Sequence, residues 1–250
     1  MTAREKTADG RSSTRPGHGT SEQLAEQMNG SWQHAVEQIM LVASDSKSRV
    51  LAVLSPEKGA GVSALCRMLA ETYGRSGMAT LLVDLTRPTG SGIGADWVPG
   101  EGAPGFISSN PCGYDELTAH PTRATRAQFN NVDRLRRMFS EVLTAYDAIV
   151  VDLPAVLDQS DDVINPIAAA RASDAVIMMC VTGETSQQQI RKAKATLEAA
   201  GVQIGGTVLN DRNRPLLGAE IGSVLRRVGF VPGVKWLARL AETSEFLNPR

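Results

Sequence analysis

The sequence predicts a doubly wound α/β fold, with a mainly parallel sheet and helices on both of its faces. One observation is that its short apolar runs are unbroken rather than alternating, which is typical of strands covered on both faces. Another is that segments with helical spacing separate these runs, and alternation of strands with helices favours parallel pairing. A length of 250 residues allows one such domain with a sizeable core.

Five apolar runs are the predicted strands: Val50–Leu54, Thr80–Val83, Ala148–Val151, Ala175–Val181 and Thr207–Leu209. Helical spacing of apolar residues between them predicts helices over Ser63–Arg75, Asn131–Thr144 and Ser186–Ala200. Thr185 or Ser186 is expected to cap the last helix, because either side chain can accept a hydrogen bond from a first-turn N–H. The segment Thr89–Gly113 is dense in glycine and proline and predicts a long loop, either functional or disordered.

Composition and spacing divide the chain into three parts. Residues 1–20 are polar, and they predict a disordered N-terminal arm. Residues 21–48 show apolar side chains at helical spacing, which predicts an N-terminal helical segment. Residues 49–250 hold the predicted α/β domain.

The charge balance, 26 basic against 27 acidic residues, argues against nucleic acid as a general partner. No apolar run approaches the roughly 20 residues that a membrane-spanning helix needs, so no direct membrane insertion is expected. The cysteines are scattered, and Cys66 and Cys180 lie in apolar runs, which favours buried free thiols over a disulfide or a metal site. These features are typical of a cytoplasmic protein.

The first strand-to-helix turn reads "SPEKGAGVS", and such turns are the usual phosphate cradle of open α/β sheets. Gly59 and Gly61 let the backbone turn tightly enough to aim successive N–H groups at one anion, and the helix adds its positive end. In the phosphate loop G-x-x-x-x-G-K-[ST], the lysine reaches the phosphates and the hydroxyl binds magnesium. Gly61 and Ser63 match this pattern, whereas Val62 stands at the lysine. On this segment alone, a simple strand-to-helix turn is the alternative.

Two predicted strands end in a carboxylate, Asp84 in "LLVDLTRP" and Asp152 in "IVVDLPAV". A carboxylate at the tip of a buried strand is costly unless it meets a cation or hydrogen-bond donors. Asp152 is therefore predicted to hold a nucleotide-bound magnesium ion, directly or through water. Each aspartate taken alone is also compatible with a helix-capping or turn residue.

Three segments in order carry a family resemblance: "SPEKGAGVSALCRMLAETYGRSGMATLLVDLTRP", "AYDAIVVDLPAVLDQSDD" and "ASDAVIMMCVTGETSQQQIRKAKATLEAAGVQIGGTVLND". Together they resemble the bacterial protein-tyrosine kinase family of capsule and exopolysaccharide synthesis, which lies within the MinD/ParA-type P-loop ATPases. The resemblance covers roughly Arg49 to Asp211 and implies a P-loop NTPase-like fold.

The resemblance implies a binding site for ATP or ADP with magnesium. It implies phosphate and magnesium contacts for Gly59, Gly61 and Ser63, and a metal-linked role for Asp152. Asp84 is implied to lie near the metal or the attacking group, and Asn210 is implied to lie near the nucleobase. Asp84 and Asp152 are thus the candidate catalytic residues, and Ser63 and Asp152 the candidate metal ligands. The candidate nucleotide-contacting residues are Lys58, Gly59, Ala60, Gly61, Val62, Ser63 and Asn210.

The sequence departs from the family pattern in the parts that perform phosphoryl transfer. Val62 replaces the lysine that reaches the phosphates, and Thr86 stands near the position of a second aspartate. No tyrosine follows Tyr146, so the tyrosine-rich tail on which such kinases autophosphorylate is missing from this sequence. Lys58, four residues before Val62, either compensates for the lost lysine or is a solvated surface residue.

These observations predict a cytoplasmic kinase- or ATPase-like component of exopolysaccharide biosynthesis and export. We expect its phosphoryl transfer to be weakened or absent and its nucleotide binding to be weak or absent. The expected role is that of a regulatory subunit. A membrane polysaccharide co-polymerase or export protein is the implied partner, and through it the chain would reach the inner membrane; self-association is also considered. The alternatives are an active ATP-dependent protein-tyrosine kinase and a MinD/ParA-like positioning ATPase, although the latter is expected to keep an intact loop.

Overall fold

The computed structural model describes residues 32–41, 43, 49–88, 97–101, 103–158 and 160–211. The predicted arm, residues 1–20, lies outside these ranges, and the three-part division of the chain stays a prediction. Residues 32–41 form a helix, α1, as the apolar spacing predicts. Val36 and Ile39 of α1 are buried against the domain. None of the helices in these ranges combines the length and the apolar character that crossing a bilayer requires.

The described residues form a seven-stranded sheet with the order β3-β4-β2-β5-β1-β6-β7. The strands are β1 Val50–Leu54, β2 Thr80–Asp84, β3 Ser108–Asn110, β4 Tyr114–Thr118, β5 Ala148–Asp152, β6 Ala175–Val181 and β7 Gly206–Asn210. All neighbouring pairs are parallel except β3 with β4. The five predicted strands are confirmed, and the carboxyl ends of β2, β5 and β1 lie side by side.

The helices cover both faces of the sheet, which confirms the doubly wound α/β prediction. They are α2 Val62–Arg75, α3 Val132–Arg137, α4 Pro166–Ala172 and α5 Gln187–Ala199. Along β1, Val50, Ala52 and Leu54 pack into the apolar core beneath α3, α4 and α5. Leu51 and Val53 instead pack into the core beneath α1 and α2. Because both faces of β1 are buried, its sequence is apolar at every position.

Local sequence explains how α2 and α5 begin. Gly61, at the residue before α2, adopts a left-handed conformation with φ 96°, which L-residues with a side chain rarely adopt. Before α5, the Ser186 hydroxyl accepts a hydrogen bond from the Gln189 N–H, and the Gln189 side chain accepts one from the Ser186 N–H. This capping box selects Ser186 over Thr185 as the cap.

The prediction of one long loop over Thr89–Gly113 is wrong for the described residues of that segment. They contain a 3-10 turn, Ala103–Phe106, and the edge strand β3, and they lead directly into the unpredicted strand β4. Trp97 is buried and packs edge-on against Phe129, with ring centroids 5.2 Å apart. The sequence misses β3 because it has only three residues, none of them apolar, and gains its hydrogen bonds from β4 alone.

Two helices also differ from expectation. The predicted helix over Asn131–Thr144 is capped by Asn131 but leaves α-helical geometry after Arg137, where a π-helical turn covers Met138–Val142. Helix α4 is absent from the sequence-based prediction, because its seven residues are too few for a clear apolar period. Cys66 and Cys180 are buried free thiols, as predicted, and Cys112 is exposed.

Gly74, in the last turn of α2, lies directly against the turn that precedes β4. A Cβ at this position would overlap with the Gly113 carbonyl oxygen. A glycine-to-alanine change inside a helix ordinarily stabilises a protein by about 0.5–1 kcal/mol. We expect Gly74→Ala to destabilise the fold by about 1–3 kcal/mol instead, because the backbone must shift. Urea unfolding measures this, and Gly105→Ala, which meets open space, is the matched control. An unchanged or higher stability of Gly74→Ala would contradict the described contact.

Candidate functional site

A cavity of about 420 Å³ lies where β1 and β5 end and α2 begins. Its lining includes every candidate residue of the phosphate loop together with Asp152, whereas Asp84 and Asn210 are not part of the lining. The lining residues are Ser55, Lys58, Gly59, Ala60, Gly61, Val62, Ser63, Ala64, Thr86, Asp152, Leu153, Pro154, Ala155, Asp158 and Val163. The fold thus brings the loop and the metal-linked aspartate candidate to one place.

Two glycines turn the backbone of the loop tightly, as an anion cradle requires. Gly59 and Gly61 have φ values of 84° and 96°, so both turn the chain in the left-handed region. Gly61 has no side chain with which to cap α2, and the first N–H groups of that helix receive no side-chain hydrogen bond from it. Since unsatisfied N–H groups and the helix dipole both attract anions, the start of α2 fits a phosphate group.

Asn210, at the end of β7, is hydrogen-bonded to the backbone of this loop. Its buried side-chain amide donates a hydrogen bond of 2.9 Å to the Ala60 carbonyl oxygen. A Cβ at Gly61 would lie 3.1 Å from the Asn210 Nδ2 atom and 3.3 Å from the Met179 side chain, so the loop has little room for a larger residue there. The observed contact of Asn210 is therefore with the loop backbone, and its role near a nucleobase stays a prediction.

Val62 is a core residue as well as part of the cavity wall. Only 7% of it is exposed, and it packs with Val36, Leu65 and Cys66 in the core beneath α1 and α2. An aliphatic side chain offers a phosphate neither charge nor a hydrogen bond. The position that carries a lysine in intact phosphate loops is therefore apolar here.

Asp152 is the carboxylate best placed to meet a cation. It is buried at the end of β5, and its Oδ1 atom has no hydrogen-bond partner among the described residues. Burial raises the pKa of this carboxyl to about 7, a hydrogen bond from Ser63 opposes the rise, and the nearby Asp84 charge adds to it. A hydroxyl and a carboxylate oxygen are ligands that Mg²⁺ prefers, so Ser63 and Asp152 fit that ion.

Asp84 lies beside Asp152 in the register of β2 and β5, but its carboxylate is engaged locally. Its Oδ1 atom accepts hydrogen bonds from the Thr86 N–H at 2.9 Å and from the Thr86 hydroxyl at 2.6 Å. Its Oδ2 atom accepts one from the Arg87 Nε–H at 3.1 Å. Asp84 is therefore a turn residue, which is one of the two interpretations that its sequence allows. A catalytic role for Asp84 stays a prediction.

Sequence reasoning missed Asp158, which also lines the cavity. The Nζ atom of Lys58 lies 2.8 Å from the Asp158 Oδ2 atom. Burial alone would raise the pKa of Asp158, but hydrogen bonds from Lys58 and Ser160 outweigh it, and the pKa lies below its usual value. The acidic run that follows "VVDLPAV" is the signal that could have drawn attention to this residue. Only the fold shows that it meets Lys58.

The cavity combines features that suit a nucleotide with magnesium better than a metal ion alone. Among its lining residues, Lys58 is the single basic side chain. The described part of the chain has no group of three or more His, Cys, Asp or Glu side chains arranged to hold a metal ion. A magnesium ion here would therefore need oxygen ligands from a phosphate or from water, which is its common mode of binding beside nucleotides.

Comparison with known proteins shows similarity to bacterial tyrosine kinases, although no protein-family model matches the chain. CapB of Staphylococcus aureus is 26% identical over 189 residues, which cover 69% of this chain and 79% of CapB. Tyrosine-protein kinase CpsD of Streptococcus agalactiae serotype III is 23% identical over 190 residues, covering 68% of this chain and 77% of CpsD.

Solved structures show the same fold. The VpsO kinase domain matches with a TM-score of 0.60 and 23% identity, covering 78% of this chain and 100% of that domain. The septum site-determining protein MinD from Pyrococcus horikoshii, solved with Mg-ADP, matches with a TM-score of 0.51 and 18% identity, covering 78% of this chain and 94% of MinD. With the sequence similarities, they confirm the predicted resemblance to bacterial protein-tyrosine kinases and the MinD/ParA-like P-loop NTPase fold.

Proposed function

We propose that this chain binds Mg-ADP or Mg-ATP weakly in the cavity and acts as a regulatory component of exopolysaccharide biosynthesis and export. The shape of the loop, the open start of α2 and the Ser63–Asp152 pair support nucleotide binding. Kinship with the tyrosine kinases supports the biological setting. A membrane polysaccharide co-polymerase or export protein is the proposed partner, and it would bring the chain to the membrane.

The single observation that carries the regulatory assignment is the buried aliphatic side chain of Val62 at the lysine position. A charge-assisted contact to phosphate contributes about 1.5–3 kcal/mol, so its loss weakens binding by about 10- to 150-fold. The loss is larger in the transition state, where preorganised positive charge stabilises the transferring phosphoryl group. Weak binding therefore survives this replacement better than phosphoryl transfer does.

Each remaining residue has a proposed part in binding. The N–H groups after Gly59 and Gly61 would hold the terminal phosphate, and Ser63 and Asp152 would hold magnesium, directly or through water. The bound magnesium would neutralise phosphate charge. A second candidate, an active tyrosine kinase, is favoured by one observation, namely that Lys58 lines the same cavity and offers it a positive charge.

Titration of the purified protein with Mg-ADP and Mg-ATP by calorimetry tests this proposal. We expect weak binding that requires magnesium and that falls by about tenfold or more in Asp152→Ala, because a charged metal ligand is lost. Asp133→Ala, which removes an exposed carboxylate of α3, is the matched control. Phosphate release and tyrosine phosphorylation are measured in the same samples.

The outcomes separate the two candidates. Absence of binding at millimolar nucleotide would contradict the proposal as a whole. Rapid phosphate release with tyrosine phosphorylation, both abolished in Asp152→Ala, would establish the active kinase in place of the regulatory subunit.

A further inference from the structure

The ion pair between Lys58 and Asp158 links the two loops that enclose the cavity. Lys58 belongs to the phosphate loop, and Asp158 belongs to the segment that follows β5. Two backbone hydrogen bonds tie the same loops together, from the Val156 N–H to the Ser55 carbonyl at 2.9 Å and from the Leu157 N–H to the Pro56 carbonyl at 3.0 Å. The carboxylate is therefore held in place by the segment that carries it.

The two partners of this ion pair differ in freedom. The Asp158 side chain is 9% exposed, whereas the Lys58 side chain is 67% exposed. A long, exposed lysine can change its rotamer at little cost, whereas a mostly covered carboxylate on a hydrogen-bonded segment cannot. Lys58 is thus the member of the pair that can move.

The charges that line the cavity determine what a movement of Lys58 would do. Asp152 and Asp158 both line it, and Lys58 is the single basic side chain among the lining residues. A nucleotide phosphate at the start of α2 would bring further negative charge to within reach of Lys58. Lys58 then has two competing anions, the carboxylate of Asp158 and the phosphate.

We propose that Asp158 is a positioning residue that holds Lys58 at the cavity and restrains it from the terminal phosphate of a bound nucleotide. Lys58 leaves Asp158 when the phosphate arrives, and the lost ion pair lowers nucleotide affinity. The strength of the restraint therefore sets how weakly the site binds. This inference rests on the proposed nucleotide binding at the same cavity.

Affinity for Mg-ATP, measured with a fluorescent ATP analogue, tests the restraint in five proteins. These are the unchanged chain, Asp158→Asn, Lys58→Met, Lys58→Arg and the double variant of Asp158→Asn with Lys58→Met. Asp158→Asn is expected to strengthen binding by about three- to tenfold, because Lys58 is free for the phosphate. Lys58→Met is expected to weaken binding by a similar factor, and Lys58→Arg to retain most of it. In the Lys58→Met background, the gain from Asp158→Asn is expected to be at least about threefold smaller.

The exposed pair Lys194–Glu198 on α5, with 3.6 Å between Nζ and Oε1, provides the controls Lys194→Met and Glu198→Gln. Both are expected to bind nucleotide as the unchanged chain does, and circular dichroism verifies that all variants fold. Equal gains from Asp158→Asn with and without Lys58 would mean simple charge repulsion and would overturn the inference alone. Binding to neither the unchanged chain nor Asp158→Asn at millimolar nucleotide would overturn the proposed function together with it.

Discussion

Replacing Val62 by lysine is expected to strengthen the binding of Mg-ADP and Mg-ATP by about 10- to 150-fold. The loop backbone already has the two left-handed glycines that a phosphate cradle needs. The change adds the charge-assisted contact that the aliphatic side chain lacks, and such a contact contributes about 1.5–3 kcal/mol. Calorimetry measures the gain, and Val62→Met is the control, because methionine is similarly long and uncharged.

The same replacement is expected to lower the stability of the nucleotide-free protein by about 1–3 kcal/mol, because Val62 is a buried core residue. Urea unfolding with and without Mg-ADP separates the two effects. Mg-ADP should restore the lost stability of Val62→Lys, and it should change the stability of Val62→Met very little. Equal nucleotide affinities of Val62→Lys and Val62→Met would show that the loop does not present this position to phosphate.

Replacing Asp152 by asparagine is expected to stabilise the nucleotide-free protein at pH 8 while it removes magnesium-dependent binding. Burial raises the pKa of Asp152 from 3.8 to about 7, so the folded protein binds more protons than the unfolded chain between these values. The resulting stabilisation is present below about pH 4 and is lost as pH rises through about 7. The neutral asparagine escapes this loss, which is on the order of 2–4 kcal/mol.

Urea unfolding at pH 5 and pH 8, without magnesium, measures this difference. The advantage of Asp152→Asn should be largest at pH 8 and less than half as large at pH 5. Asp158→Asn is the control, and its expected effect on stability has the opposite sign. The pKa of Asp158 is lowered in the folded protein, so its charged form stabilises the fold above its ordinary pKa. Its replacement should therefore destabilise the protein at pH 8. A lower stability of Asp152→Asn at pH 8 would contradict the described environment of this carboxyl.

Much of the architecture could be predicted because it follows from burial. A strand between two helical layers needs apolar side chains on both of its faces, so the sequences of β1 and β6 alone delimit these strands correctly. The phosphate loop could be located because glycine spacing at a strand-to-helix turn is a local property. Asp152 could be singled out because a carboxylate that ends an apolar strand is conspicuous.

The features that were missed depend on partners distant in sequence. Strand β3 has little intrinsic signal, and its identity comes from pairing with β4. The Asn210 amide meets the Ala60 carbonyl 150 positions earlier in the chain, and the role of Asp158 appears only when the loop after β5 meets the loop after β1. The sequence by itself determined the fold class and the residue types at the site, because periodicity and spacing encode burial. Only the tertiary structure decided that Val62 faces the core, that Asp84 is engaged in its own turn and that Asp158 holds Lys58, because long-range packing sets those contacts.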